Sequence, residues 1–138
     1  MTTQPDAPVR EADAWLLQHV GKGQRLMVDS NFWIYLIEHG FNADPVSGGF
    51  YSRTVVFNWP LDYDPAVKRA FPDGWRDFDY IVATDGIRAN TTQTPNTEQA
   101  LDHSFVVASF GTGIDRVEIR EISHTVPKNG VTTTGSAR

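Results

Sequence analysis

The feature that most constrains this chain is its alternation of short apolar runs with capped amphipathic segments. Five runs have strand character: residues 25–29 (RLMVD), 54–58 (TVVFN), 78–84 (FDYIVAT), 105–110 (FVVASF) and 116–122 (RVEIREI). β-Branched and aromatic residues dominate them, and turn residues bound them, as suits pleated and buried positions. Helix signals fall before and between the first four runs. Residues 10–20 place Ala12, Trp15, Leu16 and Val20 about a turn apart, and Gly21 and Gly23 close the segment. Ser30 or Asn31 can cap a helix that runs to His39 and stops at Gly40. Residues 32–37 would also suit a strand, but the cap and the closing glycine favour the helix. Asp64-Pro65 is a strong helix start, because the carboxylate accepts backbone N–H bonds and Pro needs no N–H partner there. That helix is expected to end near Phe71, before the turn Pro72-Asp73-Gly74. Asp85 is placed to cap a short helix over 86–89, and Thr94-Pro95 or Asn96 opens another that ends near His103.

Strands separated by helices build a parallel sheet through crossover connections. The last two runs are joined only by a short segment beginning Gly111-Thr112-Gly113, so they should form an antiparallel hairpin at one edge. The predicted fold class is α/β: a small Rossmann-like three-layer sandwich, mostly parallel, with strand order 2-1-3-4-5. The 138 residues suit one domain, and 40% hydrophobic with 21% charged residues is a globular composition. Residues 1–9 read as a flexible lead-in, 10–122 as the single domain, 41–52 within it as a loop, and 123–138 as a flexible tail.

Several function classes are disfavoured at once. A net charge of −5 with pI near 5.2 argues against nucleic acid, whose phosphates need a concentrated positive surface. No cysteine is present, so there is no disulfide, thiolate nucleophile or Cys-based metal site. His19, His39, His103 and His124 lie far apart without ligand spacing, so neither a metal site nor a cofactor is expected. His39 and His103 fall near predicted helix C-termini, where a partly charged imidazole is favourable. No run approaches the roughly 20 apolar residues of a membrane span, and residues 1–9 have no apolar signal-peptide core. The chain is expected to be soluble, without a transmembrane segment or signal peptide. The serines lack a G-x-S-x-G elbow. Gly111-x-Gly113 lacks a third glycine and precedes a strand, so it reads as a turn needing positive φ, not a dinucleotide fingerprint.

In open α/β sheets, ligands bind beyond the carboxyl ends of the strands, at the topological switch point. Those ends offer Asp29, Ser30 and Asn31, then Asn58 and Trp59, then Thr84, Asp85 and Arg88. With strands one and three adjacent, Asp29, Asp85 and Arg88 would face one crevice. Two carboxylates could hold a divalent cation or act as acid and base. Alternatively, Asp29 and Asp85 cap the helices that follow them, and Arg88 makes a surface salt bridge. The stretches 59–64 (WPLDYD) and 74–80 (GWRDFDY) mix aromatics with acids. Such a mixture can bind sugar rings by stacking and hydrogen bonding, or it can plug the ends of a small core, with Arg76 paired to Asp77 or Asp79.

Taken in order, several motifs carry a resemblance. They are Arg25-Leu-Met-Val-Asp29 with Phe32-Trp33 and Glu38-His-Gly-Phe41, then Trp59-Pro-Leu-Asp-Tyr-Asp-Pro-Ala-Val67, then Gly74-Trp-Arg-Asp-Phe-Asp-Tyr-Ile-Val-Ala-Thr84. Ala100-Leu-Asp-His-Ser104, Val107-Ala-Ser-Phe-Gly-Thr-Gly113 and Arg116-Val-Glu-Ile119 close the series. Over residues 11–122 the chain resembles the soluble C-terminal domain of bacterial, mainly actinobacterial, membrane glycosyltransferases. These use polyprenyl-phosphate sugars and are of the protein mannosyltransferase and aminoarabinose transferase-like kind. In that family the catalytic carboxylates lie in loops of a membrane portion, so the resemblance carries over no catalytic residue. It implies a non-catalytic accessory domain on the extracytoplasmic face of the cell membrane, positioning a sugar or a polyprenyl-phosphate-linked acceptor beside a membrane glycosyltransferase portion. Two other readings stay open. One is a small α/β enzyme using Asp29 and Asp85 with a divalent cation. The other is a module docking to a separate membrane subunit through an exposed apolar patch that includes Trp33, Phe50 or Trp75.

Overall fold

A computed structural model describes residues 7–43, 53–89 and 91–123. The chain runs α1 (Ala7–His19), β1 (Arg25–Val28), α2 (Ser30–Glu38), β2 (Thr54–Phe57), α3 (Pro60–Tyr63), α4 (Pro65–Ala70), β3 (Tyr80–Ala83), α5 (Asp85–Arg88), α6 (Pro95–Asp102), β4 (Ser104–Phe110) and β5 (Val117–Ile122). Short 3₁₀ turns sit at Gly74–Asp77, Thr91–Gln93 and Gly113–Asp115. The α/β alternation read from the sequence is present. The first helix starts at Ala7 rather than Arg10, with Pro8 in its first turn, where no N–H partner is needed. Residues 7–9 are therefore helical, while residues 1–6, 44–52 and 124–138 lie outside the described residues. Among the described residues no helix is long and apolar enough to cross a membrane.

The five strands form one sheet in the order β2-β1-β3-β5-β4. β1 pairs in parallel with β2 and β3, while β5 is antiparallel to both β3 and β4. This corrects the expected order 2-1-3-4-5. The crossover through α6 places β4 one position beyond the β3 edge, and the hairpin returns β5 into the gap. The chemistry of β5 suits that inner position. Val117 and Ile119 enter one core, while Glu118 and Arg120 on the other side are held by ion pairs and by hydrogen bonds to Ser104 and the Leu101 carbonyl. The hairpin turn uses Gly111 at φ 76° and Gly113 at φ 63°, as the positive-φ reading required. Gly111 also lies against Pro8, where a Cβ would come within 2.6 Å of the proline ring.

Two cores lie on opposite faces of the sheet, giving three layers. α1 and α2 cover one face through Ala12, Leu16, Val20, Phe32 and Leu36, against Leu26, Val28, Val82 and Ile119. The segment from α3 to α6 covers the other through Leu61, Phe71, Trp75, Ile87 and Ala100, against Met27, Ile81 and Ile122. Consecutive residues of β1 thus feed opposite cores, the period-two consequence of a strand buried on both sides. One charged side chain sits in the first of these layers. Asp13 of α1 is 7% exposed, and its Oδ1 has no hydrogen-bond partner. Burial raises its carboxyl above the ordinary range, an effect partly offset by the charge of His39.

His39 and His103 meet helix ends as expected. His39 and His103 occupy the residues just after α2 and α6, and His19 ends α1. Each Nδ1 lies within 2.7–2.9 Å of the carbonyl four residues earlier. Each ring also stacks on an aromatic: His19 on Trp15, His39 on Tyr35 and His103 on Trp75. These contacts account for the three histidines structurally.

Candidate functional site

The switch point forms where β1 and β3 lie side by side but lead to opposite faces. β1 ends at Val28, and Asp29 follows in an extended conformation as the N-cap of α2. Its Oδ1 accepts from the Phe32 N–H at 2.7 Å. Its Oδ2 accepts from the Thr84 hydroxyl at the end of β3. Thr84 Oγ1 in turn accepts from the Ile87 N–H at 3.3 Å, which makes Thr84 the cap of α5. One carboxylate and one hydroxyl thus tie the starts of two helices across the switch point. Gly86 belongs to the same arrangement, since a Cβ there would stand 2.9 Å from Asp29 Oδ2.

The cap of α2 is Asp29, as the alternative reading had it, and not Ser30 or Asn31, whose positions already lie inside the helix; the capping expectation was wrong for Asp85. Asp85 is the first residue of α5, one position too late, because Thr84 already has the extended backbone a cap needs. Its side chain is exposed and lines a groove of about 550 Å³. Asp29, Asn31, Tyr35 and Thr84 line the same groove, as do Asp115 and Arg116 from the β4–β5 turn. Asp29, Thr84 and Asp85 therefore do share one crevice.

Arg88 does not line that crevice. Its guanidinium reaches Glu118 at 2.7 Å. Glu118 pairs with Ala83, whose side chain belongs to the core under α3–α6, so this ion pair lies on that face of the sheet. Glu118 also meets Arg120 at 3.3 Å and Arg116 at 3.5 Å. The cation bordering the groove is Arg116, which the sequence reading did not single out. It reaches the switch point because β5, not β4, neighbours β3. With the order 2-1-3-4-5 the start of β5, and Arg116 with it, would have stood one strand farther away.

The remaining candidates separate. Ser30 is the exposed first residue of α2. Asn58 is 3% exposed; its Nδ2 donates to Thr97 Oγ1 at 2.9 Å and its backbone N–H to the Val28 carbonyl, so it clamps β2 to β1 and α6. Trp59 stands on a second surface feature beyond β2. Its ring stacks on Tyr63, one turn along α3, with centroids 5.5 Å apart and planes 24° apart. Both rings are exposed, Trp59 at 37% and Tyr63 at 57%. With Pro60, Asp64 and Pro65 they frame an open, largely apolar shelf of about 600 Å³. The Tyr63 hydroxyl donates to the Gln93 carbonyl, which fixes the outer ring. Asp64 Oδ1 accepts from the Ala66 N–H at 2.9 Å, the cap of α4 that Asp64-Pro65 announced.

The second aromatic–acidic stretch is core instead. Trp75 is 6% exposed and Tyr80 8%. Burial, then the Glu121 and Asp79 carboxylates, push the Tyr80 phenol above its ordinary range, against a smaller opposing hydrogen bond from Gln24. Arg76 lies over the Trp75 ring at 4.6 Å. The carboxylates expected to pair with it hold backbone groups: Asp77 the Asp73 N–H and Asp79 the Arg25 N–H. Among the described residues no group of three or more His, Cys, Asp or Glu is placed to hold a metal ion. No protein-family model, curated protein or solved structure matches the chain.

Proposed function

We propose that this domain is a non-catalytic carbohydrate-binding module whose contact surface is the Trp59–Tyr63 shelf. The exposed stack of two amphipathic rings carries the reading. A core has no need of two large aromatics left open to solvent side by side, whereas a sugar ring is bound by stacking on such a face. The resemblance to the soluble domain of polyprenyl-phosphate-sugar-dependent membrane glycosyltransferases points the same way. The domain then positions a sugar or a lipid-linked acceptor for chemistry performed by a membrane portion on the extracytoplasmic face.

The geometry of Asp29 favours binding over the cation-assisted enzyme. That reading needs two carboxylates turned into an open crevice. Asp29 instead directs Oδ1 to a backbone N–H and Oδ2 to Thr84. The docking-module reading has less support: Trp75 is buried, Trp33 is half-buried against Phe57 at 5.0 Å, and Phe50 lies outside the described residues. Titration of the full chain with oligosaccharide fragments and polyprenyl phosphate, followed by amide shifts, tests the proposal. Shifts should centre on Trp59, Tyr63 and Asp64, and Trp59→Ala should weaken binding about twofold to tenfold, since an aromatic stacking contact is worth about 0.5–1.5 kcal/mol. Saturating ligand with no shift on α3 would overturn it.

A further inference from the structure

The two edges of the sheet differ. At the β2 edge, Asn42 bridges to Thr54, with its carbonyl accepting from the Val55 N–H at 2.9 Å. At the other edge, β4 presents seven residues, and among the described residues no strand pairs with its outer side. Edge strands are usually protected by lysine, proline or a covering element, because their free N–H and C=O groups template further pairing. β4 has no charged residue and no proline, although the chain carries a net charge of −5. Phe105 and Val106 are exposed at 53% and 45%.

The β-bulge at Val107 makes this strand complementary to itself. Phe105 opposes Glu121 and Phe110 opposes Val117, an even spacing on β5, so both phenylalanines stand on the α1 side of the sheet. Their odd spacing along β4 would otherwise put them on opposite sides. The extra residue between Val106 and Ala108 corrects the phase. We infer that β4 pairs antiparallel with β4 of a second copy of this chain, across a two-fold axis normal to the sheet and centred between Val107 and Ala108. In that register Phe105 faces Phe110 of the second copy, Val106 faces Ser109, and Val107 faces Ala108. Every opposed pair is aromatic, aliphatic or small, no like charges meet, and the exposed Phe105 gains an aromatic cross-strand neighbour. Closing the edge this way yields a continuous ten-stranded sheet with two-fold symmetry.

Sedimentation equilibrium of the full chain over about 5–200 μM tests the inference, because self-association depends on protomer concentration. The apparent mass should rise from 15.4 kDa towards twice that value. A mass fixed at 15.4 kDa up to the highest concentration would overturn it. Phe105→Lys and Val106→Lys alter exposed side chains on opposite sides of β4, and each should raise the dimer dissociation constant at least about tenfold. Circular dichroism identifies the variant that keeps its fold, and an unchanged dimer in that variant counts against the proposal. Because the chain has no cysteine, register is open to direct reading. Val106→Cys mixed with Ser109→Cys should crosslink under mild oxidation, whereas efficient crosslinking of either variant with itself contradicts the register.

Discussion

The switch-point groove and the Trp59 shelf stand at the carboxyl ends of parallel strands, yet they hold their polar and aromatic groups in opposite states. In the groove the carboxylate is turned inwards, with both oxygens of Asp29 accepting bonds that start two helices. On the shelf the acid, Asp64, caps α4 and the rings face water. The position that open α/β sheets normally reserve for a ligand here serves as a structural clamp. The neighbouring shelf, at the end of β2 and away from the switch point, carries the exposed aromatic rings. A conspicuous residue at a strand end is therefore informative only when its hydrogen bonds have been accounted for.

Asp29→Ala is the sharpest way to break this contrast. It removes an N-cap, worth about 1 kcal/mol, and a hydrogen bond to a charged group, worth about 1.5–3 kcal/mol. Urea denaturation should show a loss of roughly 2–4 kcal/mol, with sugar affinity of the remaining folded protein unchanged. Trp59→Ala should do the reverse, costing less than about 1 kcal/mol of stability while weakening binding. If Asp29→Ala leaves stability untouched and abolishes binding, the roles assigned to the two regions are inverted.

Local signals made the elements legible, and tertiary signals did not make their arrangement so. Asp64-Pro65, Thr94-Pro95 and Gly40 each announced a helix boundary through chemistry contained within a few residues. Nothing local marks Thr84 as the cap in place of Asp85, because its hydroxyl is fixed by Asp29 from a distant segment. The stretches around Trp59 and Trp75 look alike in sequence. They part because Asn96 of α6 bonds the Trp75 N–H and Asp62, and α6 with its neighbouring segments closes over Trp75 while leaving α3's outer face open. The inner place of β5 likewise rests on Glu118 and Arg120 finding partners on other elements.

Asp13 sharpens the comparison from the other side, as a buried carboxylate without the partners Asp29 has. Burial raises its pKa above that of the unfolded chain, with a smaller opposing effect from His39. At acid pH, below the unfolded value, both states hold the proton and ionisation imposes no penalty. As pH rises, the unfolded chain ionises first and is favoured, so stability falls through the acid range until the folded carboxyl also ionises. Asp13→Asn should therefore raise neutral-pH stability, because the amide has no proton to lose and carries no buried charge. Thermal melts of variant and parent should converge as pH drops towards the ordinary carboxylate range. A difference independent of pH would sink this account.

Arg88 offers the smallest expected effect and the cleanest separation of groove from face. It is 34% exposed, and Glu118 keeps Arg116 and Arg120 within reach when the Arg88 guanidinium is removed. A half-exposed pair of this kind contributes about 0–1 kcal/mol, and the surviving partners absorb part of that. Arg88→Gln should thus change stability by less than about 0.5 kcal/mol, an effect that shrinks further in high salt. The amide shifts of Asp29, Thr84 and Asp85 should stay in place, because the guanidinium works on the opposite side of the sheet from α2. Displacement of those three amides would mean that Arg88 reaches the crevice in solution. The groove would then hold a second cation beside Arg116, facing Asp29 and Asp85, and its claim to bind a ligand would have to be set against that of the shelf.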